Sequence, residues 1–546
     1  MRLIECVPNF SDGRNQNVIE AIASAIRHCE GVSLLNIDPG VATNRTVMTF
    51  VGEPEKVVEA AFQAVRKASE LIDMRHHTGA HPRIGATDVL PLVPLSGVTL
   101  EECAEMARAL ARRISHELGI PTYNYEAAAS CEARRNLADV RSGEYEGLEA
   151  KLQDPAWKPD FGKAEFTEQA ARSGATIVGA RDFLVAVNYN LNTTSTRRAN
   201  AIAFDVREKG RIVDGEQIAG TLKDCKAIGW FIDEYGVAQV SMNIVNINTT
   251  PLHIAFEEVC RAAGARGIRV TGTEIVGLVP LRVLTEAGRY FLERQERSTG
   301  VGDDELVRIA CLSMGLSEIS QFKPRERVIE YLIEDHTKKR LVEMSCRAFA
   351  IETASESAAP GGGSISAYMG ALGAALGTMV ANLSSHKKGW DERWNYFSDY
   401  AERGQKLMKE LLALVDEDTA AFNRIMDCFA MPKGTPQEKE LRSKALQAAT
   451  LYATEVPLRT MRVSYEVFDI VETMAGEGNP NSVSDAGVGA LAARSAVLGA
   501  GLNVKINASG LKDKELAAKL VGEAEQIAAN AARREEQVLK IVNEKI

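Results

Sequence analysis

The chain has 546 residues, too many for one hydrophobic core, and this length predicts roughly three or four compact units. Hydrophobic residues make up 45% and charged residues 25%, the balance of an ordinary soluble globular protein. A net charge of -10 excludes a general nucleic-acid binder, because no surplus of cations is present to neutralise phosphates.

Strand and helix signals alternate from the start. Leu3 to Val7 reads as a strand, Val18 to Ile26 as a helix, and Val32 to Ile37 as a strand closed by the turn Asp38-Pro39-Gly40. Arg45 to Val51 reads as its hairpin partner, followed by a helix from Glu53 to Leu71, an apolar run from Val89 to Val93, a helix from Leu100 to Leu118 and a strand from Pro121 to Tyr125. Residues 141–178 are irregular and predict a cover over a groove between subdomains. The order then recurs: a strand from Phe183 to Leu191, a helix from Thr196 to Lys209, a hairpin of Ile228–Ile232 and Val237–Val245, a helix from Pro251 to Ala265 and a strand from Arg269 to Ile275. Both halves thus read β-α-β-β-α-β, which predicts two α/β, ferredoxin-like subdomains at 1–178 and 179–328, side by side about a cleft.

Past a charge-rich connector at 329–340 the texture becomes helical, predicting an all-α bundle at 341–546, with one brief strand at Val504-Lys505-Ile506. Ala358 to Ser385 carries no charge, but Pro360-Gly361-Gly362-Gly363-Ser364 opens it and Gly373 and Gly377 invite close helix packing. It predicts a buried bundle helix, not a membrane span. The nine cysteines are scattered without a C-x-x-C pair, and Met1-Arg2-Leu3-Ile4-Glu5 lacks a signal-peptide core. Both features predict a reducing, cytoplasmic setting.

Chemistry first concentrates between Leu71 and Asp88, where His76, His77 and His81 share a Gly/Pro-broken loop with Asp73, Arg75, Arg83 and Asp88. Histidine both takes and gives a proton near neutral pH, so the loop suits proton transfer; the same residues also suit a solvated polar turn. The chain contains no metal-ligand cluster, Walker loop or dinucleotide fingerprint, so no metal and no nucleotide are expected.

Several motifs resemble known families. C-V-P-N-F-S-D-G-R-N (Cys6 to Asn15), N-R-T-V-M-T-F-V-G (Asn44 to Gly52), G-A-H-P-R-I-G-A-T-D-V (Gly79 to Val89), R-S-G-E-Y-E (Arg141 to Glu146), W-K-P-D-F-G (Trp157 to Gly162) and V-G-L-V-P-L (Val276 to Leu281) resemble glutamate formimidoyltransferase. A-A-P-G-G-G-S (Ala358 to Ser364) and L-V-D-E-D-T-A-A-F (Leu414 to Phe422) resemble formimidoyltetrahydrofolate cyclodeaminase. The resemblance covers essentially the whole chain. It implies transfer of a formimidoyl group between N-formimidoyl-L-glutamate and tetrahydrofolate, then closure of 5-formimidoyltetrahydrofolate to 5,10-methenyltetrahydrofolate with release of ammonia. It also implies polyglutamylated tetrahydrofolate as co-substrate, a ring-shaped octamer, and no nucleic-acid or membrane partner.

By the same resemblance His81 is the catalytic histidine, and Asp38 matches the family pattern as a group that orients or charge-supports it. The folate stretch corresponds to Gly162–Gly174, where the chain departs from animal sequences. Lys163, Arg172 and Arg83 are candidates for glutamate carboxylates, and Phe166 for stacking on a ring; each also suits an ordinary exposed residue. In the helical half the proton donor is Asp418. Asp416 and Asp418 lie about 200° apart on a helix, so spacing alone leaves open which faces inward, and the resemblance selects Asp418. Gly361, Gly362 and Gly363 are expected to offer backbone N–H groups to a ligand, and His386-Lys387-Lys388 suits a glutamate tail or a solvated basic loop. Two rival readings are a transferase fused to a methenyltetrahydrofolate cyclohydrolase-like domain, and a folate-binding scaffold with one inactive site.

Overall fold

The computed structural model describes residues 2–41, 43–79, 81–333, 340–357 and 359–546, so half of the connector at 329–340 lies outside the described residues. The chain divides into two compact units, Met1–Leu284 with Met314–Glu334 and Thr285–Ser313 with Asp335–Ile546.

The first unit opens with β1 (Leu3–Cys6), β2 (Asn9–Phe10), α1 (Gln16–Arg27), β3 (Val32–Gly40), β4 (Arg45–Gly52), α2 (Pro54–Leu71), β5 (Thr87–Ser96), α3 (Leu100–Leu118) and β6 (Thr122–Glu126). Three short helices follow, α4 (Leu137–Arg141), α5 (Leu148–Gln153) and α6 (Glu168–Ser173), and then β7 (Thr176–Ala180). These strands form a seven-stranded mixed sheet in the order β1-β4-β2-β5-β7-β6, with β3 paired outside β4. The helices α1, α2 and α3 bury one face of it through residues such as Ile22, Phe62 and Leu110. A smaller cluster of Tyr123, Tyr125, Val140, Leu148 and Ile177 covers part of the other face.

The structure revises the reading of 141–178. Its end runs into β7, which lies parallel between β5 and β6 and is buried along its whole length. A five-residue strand buried on both faces shows no polar alternation, so nothing in its pattern separates it from the irregular stretch before it.

A second sheet, β11-β12-β8-β13, follows from β8 (Val185–Leu191), β11 (Cys225–Ile232), β12 (Val237–Ile244) and β13 (Val270–Val276). It is wholly antiparallel. Helices α7 (Thr196–Val206) and α8 (Leu252–Gly264) pack on it, and β9 (Arg211–Val213) and β10 (Glu216–Ile218) form a separate hairpin. The chain continues through α9 (Leu281–Glu293), α10 (Asp303–Met314), α11 (Pro324–Arg327) and α12 (Ile329–Leu332).

The second unit is a helical bundle of α13 (Cys346–Thr353), α14 (Gly362–Ser385), α15 (Trp394–Ala430), α16 (Pro436–Glu477), α17 (Val483–Ser509) and α18 (Lys514–Lys545). Helix α14, the charge-free run, packs against α15, α16 and α17. Small residues bring it close: a Cβ on Gly373 would sit 2.9 Å from the carbonyl oxygen of Gly489. Two helices of this unit, α14 and the segment Pro480–Ser509, are long and apolar enough to cross a membrane, and 61% and 50% of their apolar windows are buried inside the protein.

Residues Thr285–Ser313, which carry most of α9 and α10, also belong to this unit. Ser298 Oγ donates to Asn382 Oδ1 at 2.6 Å, and Asn382 Nδ2 donates back to the Gly300 carbonyl at 2.9 Å. The packing boundary therefore does not coincide with the change of texture at 329–340. The strand expected at Val504-Lys505-Ile506 is absent; these residues form the last turns of α17, where buried Val504 joins the bundle core. Tertiary packing outweighs the local preference of β-branched residues for strand.

Candidate functional site

The histidine loop leaves α2 and is tied down by the β3–β4 turn. Asn44, held at φ 48°, donates from Nδ2 to the Thr78 carbonyl at 2.9 Å and accepts at Oδ1 from the Gly13 N–H at 3.1 Å. Its own carbonyl accepts from His77 Nε2 at 3.0 Å. Gly79 is required here, because a Cβ would collide with the Thr43 carbonyl oxygen. With loop and turn in register, Arg45 Nη1 donates to His81 Nε2 at 2.6 Å. A guanidinium has only donors, so Nε2 holds the lone pair and Nδ1 the proton. Among the described residues that buried Nδ1 has no partner of full hydrogen-bond geometry, although the Pro82 backbone is near enough to raise the ring's pKa.

Burial first, then the charges of Arg45 and Arg141, push the His81 pKa down to about 4, with Glu144 pulling weakly the other way. The imidazole is therefore neutral at pH 7. Around it the acids and bases are mostly paired. Asp88, fully buried, accepts from Arg141 Nη2 at 2.7 Å and Nε at 3.2 Å and from the Ile84 N–H at 3.0 Å. Burial raises its pKa and Arg141 opposes that shift. Arg83 donates to Glu146 at 2.6 Å, to Glu144 at 3.1 Å and to His77 Nδ1 at 3.1 Å. His77 thus serves as a structural link between Arg83 and Asn44, and the Arg83 guanidinium already has two carboxylate partners.

Asp38 lies exposed on β3 opposite Val47, and among the described residues no hydrogen bond joins it to His81. Its charge acts on Arg45 instead, raising a guanidinium pKa that burial lowers. The side chain that holds the ring is Arg45. Sequence reading treated it only as the first residue of a strand, although it stands inside the N-R-T motif.

The stretch 162–174 is divided by the fold. Gly162 and Lys163 line a hollow of about 740 Å³ with Arg112, His116, Phe161 and Gln169. The Arg112 guanidinium stacks over Phe161 at 5.2 Å, a contact that leaves its charge available. Phe166 instead packs at 6.4 Å, tilted, on Tyr145. Arg172 donates to the Glu70 carbonyl at 2.5 Å. Gly174, at φ +67°, bridges to Gly85. Arg112 and His116 were missed because they project from α3, far from the motif in sequence.

In the helical unit the three acids of the D-E-D run point three ways. Asp416 accepts from the Leu341 N–H at 2.7 Å, and Glu417 accepts from the Tyr452 hydroxyl at 2.7 Å. Asp418 turns to the start of α14, where Ser364 Oγ donates to it at 3.1 Å. It lines an enclosed cavity of about 230 Å³ with Gly361, Gly362, Gly363, Phe422, Asn503 and Asn507 among others. Burial raises its pKa against the lowering effect of Ser364, shifting it toward retention of its proton. Asn503 and Asn507 were missed because they flank Val504-Lys505-Ile506, which read as strand; as helix, i and i+4 share one face. Lys387 lies over the Trp390 ring at 4.1 Å and the basic loop does not line this cavity. Among the described residues no three His, Cys, Asp or Glu side chains are grouped to hold a metal.

An imidazole gripped by arginine in an α/β unit and a carboxyl whose pKa burial raises in a helical cavity are the features of an enzyme with two sites. Family descriptions match both parts: "Formiminotransferase domain, N-terminal subdomain" at residues 3–181, "Formiminotransferase domain" at 186–334 and "Formiminotransferase-cyclodeaminase" at 345–526. The formimidoyltransferase-cyclodeaminase of Gallus gallus is 42% identical, over 96% of this chain and 97% of its own. The glutamate formimidoyltransferase of Streptococcus pyogenes is 42% identical over 54% of this chain and 95% of its own. A methenyltetrahydrofolate cyclohydrolase of Methylorubrum extorquens is 38% identical over 35% of this chain and 93% of its own. The chain belongs to the formimidoyltransferase-cyclodeaminase family.

Proposed function

We propose that the two sites act in sequence on one folate. In the first step N5 of tetrahydrofolate attacks the formimidoyl carbon of N-formimidoyl-L-glutamate, and the bond from that carbon to the glutamate nitrogen breaks. N5 loses one proton and the departing nitrogen gains one. Neutral His81, through Nε2, is the group that carries it. In the second step N10 attacks the same carbon, and the imino nitrogen leaves as ammonia after taking the N10 proton and one more. Asp418 supplies a proton to that nitrogen, which its burial favours.

The observation that carries this reading is the match between group and task. A half-buried imidazole kept neutral lies in the part resembling transferases, and a carboxyl whose pKa burial raises lies in the part resembling cyclodeaminases. The hollow beside Gly162, with Lys163 and Arg112, suits the glutamate tail of a polyglutamylated folate. The strand order β11-β12-β8-β13 with two helices supports a ferredoxin-like layer for the second subdomain. Exposed Leu372, Met379 and Leu383 on α14 and Leu491, Leu498 and Leu502 on α17 form apolar rows at helical spacing, which supports burial against further copies in an octamer. Free cysteines suit the cytoplasm.

Incubation with N-formimidoyl-L-glutamate and tetrahydrofolate should yield glutamate, 5,10-methenyltetrahydrofolate and ammonia in equal amounts. The similarity to a cyclohydrolase favours one rival, in which the helical half adds water to 5,10-methenyltetrahydrofolate. Consumption of that compound without ammonia release from 5-formimidoyltetrahydrofolate would establish the rival.

A further inference from the structure

We propose that Arg45 is the receptor for the α-carboxylate of the formimidoyl donor, and that taking up this carboxylate draws the guanidinium off His81 and frees the Nε2 lone pair. The proposal rests on the transferase reading above and names the residue that recognises its donor.

Three features carry it. Arg45 is half-buried, yet among the described residues it makes no ion pair, whereas Arg83, Arg134 and Arg141 nearby in the same unit each hold a carboxylate at 3.1 Å or less. Asp88 and Asp38 offset its charge only from a distance, and an incoming anion in direct contact would lower the cost of its desolvation. Second, its hydrogen bond goes to a neutral imidazole, at the one nitrogen able to accept a proton. The base is thus masked by the group that would bind substrate. Third, the spacing fits the donor. With ordinary bond lengths an amino-acid nitrogen lies about 2.5 Å from its own carboxylate carbon, so a donor whose carboxylate pairs with Arg45 keeps its nitrogen near His81, the residue that Arg45 contacts. The glutamate of folate offers the same carboxylate chemistry, but an aryl ring separates it from N5.

The charged groups facing His81 are Arg45 from β4, Arg141 from α4 and Glu144 from the loop after α4. Asp88, although bound to Arg141, raises the Arg45 pKa through space, and exposed Asp38 does so less. Pairing Arg45 with a carboxylate removes one of the two cations that keep His81 a weak base, so the base strengthens when the donor arrives.

The test compares full-length wild type with Arg45→Gln and Arg45→Lys. The glutamine variant should raise KM for N-formimidoyl-L-glutamate at least tenfold, leave KM for tetrahydrofolate within threefold and move the acid limb of kcat/KM to higher pH; the lysine variant should recover part of the donor affinity. An unchanged KM for tetrahydrofolate in formimidoyl transfer reports that the unit holding Arg45 is folded, and ammonia release from 5-formimidoyltetrahydrofolate reports the same for the helical unit. Calorimetry with N-acetyl-L-glutamate, an unreactive carboxylate probe, should show binding to wild type and at least tenfold weaker binding to Arg45→Gln. An unchanged donor KM, or a rise confined to the folate KM, overturns the proposal, as does equal binding of the probe. A wild type that binds the probe through Arg45 but transfers no formimidoyl group would instead sink the transferase reading.

Discussion

Glycine at 363 is a demand of the carboxyl beside it. A Cβ built there would lie 2.5 Å from Asp418 Cγ and 2.6 Å from Oδ2, whereas ordinary contact begins at 3.4 Å. In Gly363→Ala the carboxyl must therefore retreat by about 1 Å. Asp418 would then lose its bond from Ser364 Oγ, now 3.1 Å long, worth about 0.5–1.5 kcal/mol to an uncharged carboxyl. A displacement of about 1 Å at a proton donor costs roughly 100-fold in rate, about 2.7 kcal/mol, so misplacement outweighs the lost bond. Gly362 is the internal comparison, since a Cβ there would meet Asn503 Nδ2 at an ordinary 3.5 Å. Ammonia release from 5-formimidoyltetrahydrofolate should fall about 100-fold in Gly363→Ala, at least tenfold further than in Gly362→Ala, with formimidoyl transfer preserved. Equal rates in the two variants would refute the reasoning.

Because the His81 pKa is depressed from 6.5 to about 4, its neutral form persists as pH falls through 5 and is lost only through about 4. The transferase kcat/KM should stay flat from pH 7 to 5.5, and half-loss near pH 6.5 would contradict this. The same shift has a stability sign: the unfolded chain takes the proton first, so between 6.5 and 4 His81 progressively destabilises the fold as pH drops. Asp88→Ala strands Arg141, whose side chain is only 14% exposed, and should lower unfolding free energy in urea by about 3–5 kcal/mol; a loss below about 1 kcal/mol would show that solvent reaches Arg141 freely. Asn503→Leu with Asn507→Leu should raise KM for 5-formimidoyltetrahydrofolate several-fold without affecting transfer, and an unchanged KM would remove these amides from the site. Asp substitutions at Leu498 and Leu502 should reduce the sedimentation coefficient of the assembly, and an unaltered value would place the oligomer contacts elsewhere.

The alternation of helices and strands was legible because amphipathic helices such as α1 and α3 announce their buried faces by period. Strand β7 was not, since burial on both faces erases alternation. Likewise Val504 and Ile506 pointed to strand while long-range packing made them helix. At the sites, His81 and Asp418 stood out through motif and residue type. Arg45, Arg112 and Asn503 did not, because their roles arise from contacts between elements distant in sequence. Asp38 illustrates the converse: a conspicuous carboxylate that is exposed on β3 and, among the described residues, makes no hydrogen bond to His81.

The central claim is that two independent proton-handling sites process one folate, and a pair of single variants tests it most directly. His81→Gln, given 5-formimidoyltetrahydrofolate, should release ammonia at the wild-type rate while transferring no formimidoyl group from N-formimidoyl-L-glutamate. Asp418→Asn should release glutamate at the wild-type rate and accumulate 5-formimidoyltetrahydrofolate. Loss of both activities in either folded variant, or of neither, would contradict the account.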